Sequence, residues 1–130
     1  MSVKSETLLQ RSIQHVIDVR RGYIPKKNHG NMTTIPGLQD LPFVYKGFSC
    51  FFEIKLPSYK PTDVSEAQGI HCRLARKALA LTAIVTSTEE TTLILDELDR
   101  CSRMSCTPAE MLLLMDTFFE KRGLDDGTKY

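Results

Sequence analysis

Hydrophobic residues recur along the first part of the chain at the spacing of an amphipathic helix. Five of them fall on one face between residues 5 and 21: Leu8, Leu9, Ile13, Val16 and Ile17. Ser5 is a suitable N-cap for this helix, and Gly22 is a suitable stop. The basic and polar stretch 23–34 that follows has room for one short strand and a loop.

Alternation of side chains between positions 41 and 56 predicts a β-hairpin. Lys46-Gly47 is a two-residue turn between strands 41–45 and 48–56, and it pairs residues whose numbers sum to 93. One face of this hairpin is apolar or aromatic throughout: Leu41, Phe43, Tyr45, Phe48, Cys50, Phe52 and Ile54. The other face is mixed, with its polar groups far from the turn: Asp40, Pro42, Val44, Ser49, Phe51, Glu53 and Lys55.

The second half of the chain reads as three helices and one strand. The pattern predicts a helix from residue 62 or 63 to about residue 79, with Asp63 and Glu66 at the spacing of a capping box. Its apolar stripe consists of Ala67, Ile70, Leu74, Ala78 and Leu81, and its basic stripe of Arg73, Arg76 and Lys77. A buried strand follows at 81–86, then helices at 89–100 and 107–121, and we expect the residues from 123 onward to be frayed.

A strand, a crossover helix and a second strand imply a mixed sheet with helices packed on it. The predicted fold class is therefore α/β (α+β), with a mixed central sheet flanked by helices. We expect residues 1–100 to form the core and 101–130 a helical extension of the same domain. The apolar residues of that extension either pack on the core or form a dimer surface: Met111, Leu112, Leu113, Leu114, Met115, Phe118 and Phe119.

Charge is distributed unevenly along the chain, although the net charge is only +1. Residues 1–77 hold 12 Lys and Arg against 6 Asp and Glu, whereas residues 78–130 hold 5 against 10. This asymmetry favours a polyanionic partner for the first part, and a chance distribution over a solvated surface is the alternative.

Several classes of protein are disfavoured by composition and pattern. No apolar run approaches the roughly 20 residues of a membrane span, so no membrane partner is expected. The polar start of the chain does not resemble an export signal, and the four cysteines and three histidines have no zinc spacing. These features predict a cytoplasmic protein with reduced thiols.

Asp40, Glu53 and Lys55 form the pattern D-x12-E-x-K and are the strongest candidates for chemistry. In the predicted hairpin register the two carboxylates are cross-strand neighbours, with Cβ atoms roughly 5 Å apart. Two like charges at that separation are destabilising unless a cation lies between them. Lys55 points to the same face as Glu53, so the pattern predicts a divalent metal beside a phosphate-binding ammonium. A solvated strand edge with a weak salt bridge is the alternative.

Three ordered segments resemble a known family. They are Ile35-Pro36-Gly37-Leu38-Gln39-Asp40-Leu41, then Phe52-Glu53-Ile54-Lys55, then Ser65-Glu66-Ala67-Gln68. The set is similar to the stand-alone VRR-NUC branch of the PD-(D/E)XK nucleases, in which G-x-x-D, E-x-K and a helical glutamine follow one another. The resemblance extends from about Glu6, at the place of the family's glutamate in the first helix, to about Leu98.

The resemblance implies a restriction-endonuclease-like core and metal-dependent hydrolysis of DNA. Asp40, Glu53 and the backbone carbonyl of Ile54 would bind Mg²⁺, for which Mn²⁺ would substitute, and Glu6 would act through a metal-bound water. Lys55 and Gln68 would contact the attacking water or the scissile phosphate. Lys55 is expected as such a contact rather than as the general base, because neighbouring carboxylates favour its charged form.

The same resemblance implies a homodimer that cuts branched DNA such as four-way (Holliday) junctions, encoded by a bacterium or a phage. Basic and neutral donors near the site are candidate DNA contacts: Lys26, Lys27, His29, Lys60, Arg73, Arg76 and Lys77. A flap- or restriction-type nuclease on the same core and a catalytically idle DNA-binding module are the alternative functions. Gln68 as an exposed helix residue and Glu6 as a helix-dipole partner are the alternative roles.

Overall fold

The computed structural model describes residues 3–25 and 41–130, with the backbone alone for residues 3–5. Four helices and three strands follow one another in this part of the chain: α1 (Val3–Val19), β1 (Leu41–Tyr45), β2 (Phe48–Ile54), α2 (Glu66–Lys77), β3 (Leu81–Val85), α3 (Thr88–Arg103) and α4 (Pro108–Arg122). A 3-10 turn at Pro61–Asp63 precedes α2. None of these described helices is long and apolar enough to cross a membrane.

The strands form one mixed sheet in the order β1-β2-β3, which confirms the α+β class. β1 and β2 are antiparallel, and their pairs run from Leu41 with Phe52 to Tyr45 with Phe48, as the turn predicted. β2 and β3 are parallel, and α2 is the crossover between them. Of the strand expected within 23–34, Tyr23 makes an isolated antiparallel bridge to Val44, and residues 26–34 lie outside the described part.

The two faces of the sheet are covered by different elements. The face carrying Phe43, Phe52 and Val85 shares one hydrophobic core with buried residues of α1, α3 and α4. The opposite face is covered by α2, where the Phe51 and His71 rings lie 5.1 Å apart and Arg76 Nε donates to Thr82 Oγ1 at 3.1 Å. The sheet is therefore buried on both sides, with its larger core under three helices.

α1 begins at Val3, so Ser5 lies inside the helix and the prediction that it is the N-cap is wrong. At the other end Arg21 adopts the left-handed conformation, with φ of 67°, and the Gly22 amide donates to the Ile17 carbonyl at 2.9 Å. A Cβ atom on Gly22 would lie 2.6 Å from Ile17 Cγ2. The glycine is required here by close packing on the helix, and the backbone turn is made by Arg21.

α2 differs from its prediction in both its start and its buried face. The N-cap is Ser65, not Thr62 or Asp63, because the 3-10 turn occupies the preceding residues. The predicted apolar stripe is turned outward, with Ile70 43% and Leu74 60% exposed. The buried residues of α2 are Gln68, Gly69 and Cys72. Small side chains face inward because residues 127–130 pack closely against this side of the helix.

Residues 124–130, which we call the strap, are packed against the sheet, so the prediction of a frayed end is wrong. The Ile84 amide donates to the Asp125 carbonyl at 2.8 Å, which adds a bridge at the free edge of β3. The Thr82 hydroxyl donates to the Asp126 carbonyl at 2.7 Å. Gly123 ends α4 in the left-handed conformation and turns the chain back toward the sheet.

α4 contributes its apolar side to the core of the molecule. Met111, Leu112, Met115 and Phe119 are buried in the same cluster as the sheet residues. Leu114 and Phe118 are partly buried against it, and Leu113 is exposed. Core packing therefore describes six of these seven residues, and Leu113 stays a candidate for the dimer surface.

Candidate active site

The candidate site lies where two parallel strands end side by side. β2 and β3 run together to the pair Ile54 and Val85, and the Lys55 amide continues the ladder by donating to the Val85 carbonyl at 3.1 Å. Beyond these ends the chain enters α2 after Ser65 and α3 after Ser87. Carboxyl ends of parallel strands, followed by helix N-termini, are a common place for ligand sites in mixed and parallel sheets.

Glu53 is buried at this edge, with 8% of its surface exposed. It pairs with Ile84 in the parallel register and lies on the face that α2 covers, whereas its neighbour Ile54 belongs to the main core. A glutamate is seldom buried to this degree unless a cation or hydrogen-bond donors compensate the lost hydration. Burial therefore disfavours the interpretation of Glu53 as a solvated edge residue.

Lys55 is half-buried and held by the turn that precedes α2. Its ammonium donates to the backbone carbonyl of Asp63 at 2.9 Å. The same turn is fixed by the Asp63 carboxylate, which accepts from the Lys60 amide at 2.8 Å. The conformation of residues 60–63 therefore determines where the Lys55 ammonium lies.

Gln68 is buried and belongs to the capping box of α2. Its side-chain oxygen accepts from the Ser65 amide at 2.9 Å, and Ser65 Oγ accepts from the Gln68 amide at 3.1 Å. The alternative that Gln68 is an exposed helix residue is therefore wrong. Since the oxygen caps the helix, the side-chain nitrogen is the end that could donate to a water or a phosphate.

Four of the predicted site residues cannot be placed. Asp40, Lys26, Lys27 and His29 lie outside the described residues, so the expected pair of Asp40 and Glu53 is untested. Leu41, the residue after Asp40, pairs with Phe52, the residue before Glu53. Within residues 3–25 and 41–130, no group of three acidic, histidine or cysteine side chains is arranged to hold a metal ion.

Glu6 lies in the first turn of α1 and is exposed. α1 packs through Ile13 and Ile17 on the face of the sheet opposite to α2. An acidic residue in a first turn stabilises the helix dipole, which this placement fits. The role of Glu6 through a metal-bound water stays a prediction.

The predicted DNA contacts divide into exposed and internal side chains. Lys60 and Lys77 are exposed, and Arg73 is exposed while donating to the Thr128 carbonyl at 3.1 Å. Arg76 is only 13% exposed and is used inside the protein, where it bonds Thr82 and forms ion pairs with Asp116 and Asp126. Arg76 is therefore better described as a link between α2, β3, α4 and the strap.

A carboxylate that the sequence motifs do not indicate joins two tyrosines at the loop before α2. Asp125 Oδ2 accepts from the Tyr59 hydroxyl at 2.7 Å and also from the Tyr130 hydroxyl. Burial, followed by the hydrogen bond to Asp125, raises the pKa of Tyr130 to about 12, and the same causes raise the pKa of Tyr59. Asp125-Asp126-Gly127 signals only a turn, so no local pattern could have indicated a junction with a residue 66 positions away.

Comparison of the chain with protein-family models, with curated proteins and with solved structures found no match. The family expected from the sequence motifs therefore stays a prediction.

Proposed function

We propose that the protein is a Mg²⁺-dependent endonuclease that hydrolyses phosphodiester bonds in branched DNA. The observation that carries the proposal is the buried Glu53 at the end of β2, followed two residues later by Lys55 on the same side of the chain. The predicted hairpin register pairs Asp40 with Glu53. The described pairs follow that register as far as Leu41 with Phe52.

The order of elements supports the same proposal. α1 is followed by the Tyr23 bridge, β1, β2, α2 and β3, so that the E-x-K segment enters a helix that crosses to a parallel strand. This is the order that the resemblance to VRR-NUC nucleases leads us to expect. α3 and α4 would complete the side of the sheet opposite to α2.

The proposed chemistry uses the end of β2, Lys55 after it, the start of α2 and Asp40. Glu53 and Asp40 would hold the metal ion together with the Ile54 carbonyl, and the buried Glu53 carboxylate suits a hard cation. Bound Mg²⁺ would activate the attacking water and neutralise charge on the phosphate. Lys55 would donate to a phosphate oxygen or to the attacking water. The Gln68 amide nitrogen would donate from the first turn of α2.

DNA would approach over the loop before α2. Lys60 is exposed there and can contact the phosphate backbone, which sets affinity but not sequence. The exposed Arg73 and Lys77 lie on the outer face of α2, which the dimer described next would use. In the described residues no separate module is available to read base edges, so we expect recognition of DNA shape. The four free thiols suit a protein of the bacterial cytoplasm, including that of a phage-infected cell.

A homodimer would place two such sites on a four-way junction. The outer face of α2 combines apolar Ile70 and Leu74 with basic Arg73 and Lys77. The outer face of α4 is exposed and largely acidic: Glu110, Leu113, Asp116 and Glu120. The ion pair between Arg76 and Asp116 places α2 and α4 side by side within one chain. A two-fold axis between two chains would therefore set the α2 face of each chain against the α4 face of the other.

The proposal is tested with Glu53→Gln, which keeps the shape of the side chain and removes its charge. We expect cleavage of a synthetic four-way junction in Mg²⁺ to fall at least about 100-fold, because a ligand of the metal is lost. Calorimetry should show a Mn²⁺ site in the natural protein and its loss in the variant. Asp18→Asn, an exposed change on α1, is the matched control and should cleave normally.

The outcome separates the proposed function from its alternatives. A panel of duplex, flap, single-stranded and four-way substrates decides which structure is preferred. DNA binding without cleavage and without a Mn²⁺ site would favour the idle binding module. Full cleavage by Glu53→Gln would contradict the assignment.

A further inference from the structure

We infer that the strap is a positioning element of the candidate site, with Asp125 as its central residue and Tyr59 as its contact on the β2–α2 loop. The inference rests on the proposed function only for what the site does. The contacts that carry it are made by residues 124–130, which lie beyond the segment that resembles the nuclease family.

Asp125 joins three parts of the molecule through hydrogen bonds. Its backbone carbonyl accepts from the Ile84 amide on β3 at 2.8 Å, and its Oδ1 accepts from the Gly127 amide at 2.9 Å. Its Oδ2 accepts from the hydroxyls of Tyr59 and Tyr130. One residue thus fixes the edge strand, the loop after β2 and the end of the strap relative to one another.

The strap also contacts α2 at two positions where no larger side chain fits. A Cβ atom on Gly69 would lie 2.4 Å from the Tyr130 carbonyl carbon, and one on Gly127 would lie 2.6 Å from Cys72 Sγ. Glycine inside a helix is less favourable than alanine. The space needed by Tyr130 therefore explains a glycine in the first turns of α2, directly after Gln68.

These contacts anchor the loop between β2 and α2, which the sheet does not hold in place. Tyr59 lies between Lys55 and Asp63, whose carbonyl receives the Lys55 ammonium. The loop from residue 56 to 65 has no strand partner, and its own bonds are the local ones of two turns and the Ser65 cap. Because a shift of about 1 Å in catalytic groups can lower a rate about 100-fold, an anchor on this loop affects catalysis through position.

Two variants of the full chain remove the anchor, and one matched variant leaves it intact. Tyr59→Phe removes a single hydroxyl, and Asp125→Ala removes the shared carboxylate. Asp126→Ala is the control: its side chain accepts from Thr128 and faces Arg76, so it removes a carboxylate from the same strap without touching the loop. Asp125→Asn retains one acceptor oxygen and should restore part of what Asp125→Ala loses.

The first measurement is amide hydrogen exchange in residues 57–69, which requires no nuclease activity. We expect exchange there to be roughly three- to tenfold faster in Tyr59→Phe and Asp125→Ala, because one or two anchoring hydrogen bonds are lost. Asp126→Ala should exchange at the natural rate in this segment. The second measurement is steady-state cleavage of a four-way junction, where kcat should fall about 10-fold in both test variants while KM changes less than about twofold.

The two measurements separate failure of this inference from failure of the proposed function. If the natural protein cuts no DNA, the proposed function fails, and exchange still decides whether the strap anchors the loop. If Tyr59→Phe and Asp125→Ala match Asp126→Ala in exchange and in kcat, the strap has no positioning role. Tyr59→Phe keeps the test decisive should Asp125→Ala not fold, since it removes one oxygen atom only.

Discussion

At the scale of single residues, burial and then the carboxylate of Asp125 raise the pKa values of Tyr59 and Tyr130. Deprotonation of Tyr130 would place a negative charge beside that carboxylate in a partly buried position, and its pKa is raised from 10 to about 12. The folded protein therefore holds this proton more tightly than the unfolded chain does. The resulting stabilisation is complete below pH 10 and is lost as the pH rises through about 12.

Tyr130→Phe should flatten this pH dependence. We expect the free energy of unfolding of the natural protein to fall between pH 10 and about 12, and to fall less steeply in the variant. Urea unfolding at several pH values, followed by circular dichroism, measures the slope. Part of the slope should persist, because the pKa values of Tyr59 and Tyr45 are raised as well. Identical slopes would mean that folding does not raise the pKa of Tyr130.

At the scale of elements, one half-buried aspartate ties together α1, β1 and α3. Asp99 on α3 accepts from the Tyr45 hydroxyl at 2.7 Å and from Arg20 at 2.8 Å. Asp96, one turn earlier, accepts from Arg20 at 2.7 Å, and its side chain is 60% exposed against 23% for Asp99. Hydration screens the outer ion pair far more than the inner one.

Asp99→Ala should therefore destabilise the protein more than Asp96→Ala. We expect a loss of about 2 kcal/mol for Asp99→Ala, because the buried Tyr45 hydroxyl loses its acceptor and the part-buried Arg20 loses one of its two carboxylates, and at most about 0.5 kcal/mol for Asp96→Ala. Chemical denaturation of both variants at neutral pH gives the comparison. Equal losses of unfolding free energy in the two variants would contradict the larger contribution assigned to the inner aspartate.

Periodicity predicted the elements better than it predicted which face of α2 is buried. The hairpin register followed from Lys46-Gly47, and Ile13 and Ile17 are buried as the spacing of α1 predicted. The stripe with Ile70 and Leu74 failed because burial of α2 is decided by a distant partner. Gly69 faces Tyr130 across 61 positions, a relation that no window along the sequence contains. Glu53 was identified from its motif, whereas its burial became visible only in three dimensions.

At the scale of the whole molecule, the uneven charge of the sequence reappears as two neighbouring outer faces. α2 presents Arg73 and Lys77 around exposed Ile70 and Leu74, and α4 presents acidic residues around Leu113. Exposed aliphatic side chains flanked by complementary charges are typical of contacts between protein chains.

Leu74→Glu should convert the proposed dimer to a monomer. A charge at this position would be desolvated in the interface but solvated in the monomer, so we expect dissociation with little change in the free energy of unfolding of the separate chain. Sedimentation at several protein concentrations measures the change. Val19→Glu, an equally exposed site on α1, is the control and should leave the assembly intact. A natural protein that sediments as a monomer throughout would contradict the dimer.

The placement of the strap has a consequence for the timing of synthesis. On the ribosome, Lys55, Gln68 and all three strands are made before Asp125 and Tyr130 appear. Until then the edge of β3 at Ile84 lacks its bridge, and an open strand edge invites pairing with other chains. The nascent protein therefore passes through an interval in which its sheet can form while the loop beside Glu53 is unanchored. A nuclease assembled in this order would acquire its full activity only once Asp125 and Tyr130 have been added and have packed. Slow synthesis of this last segment would lengthen the time during which the open edge of β3 can aggregate.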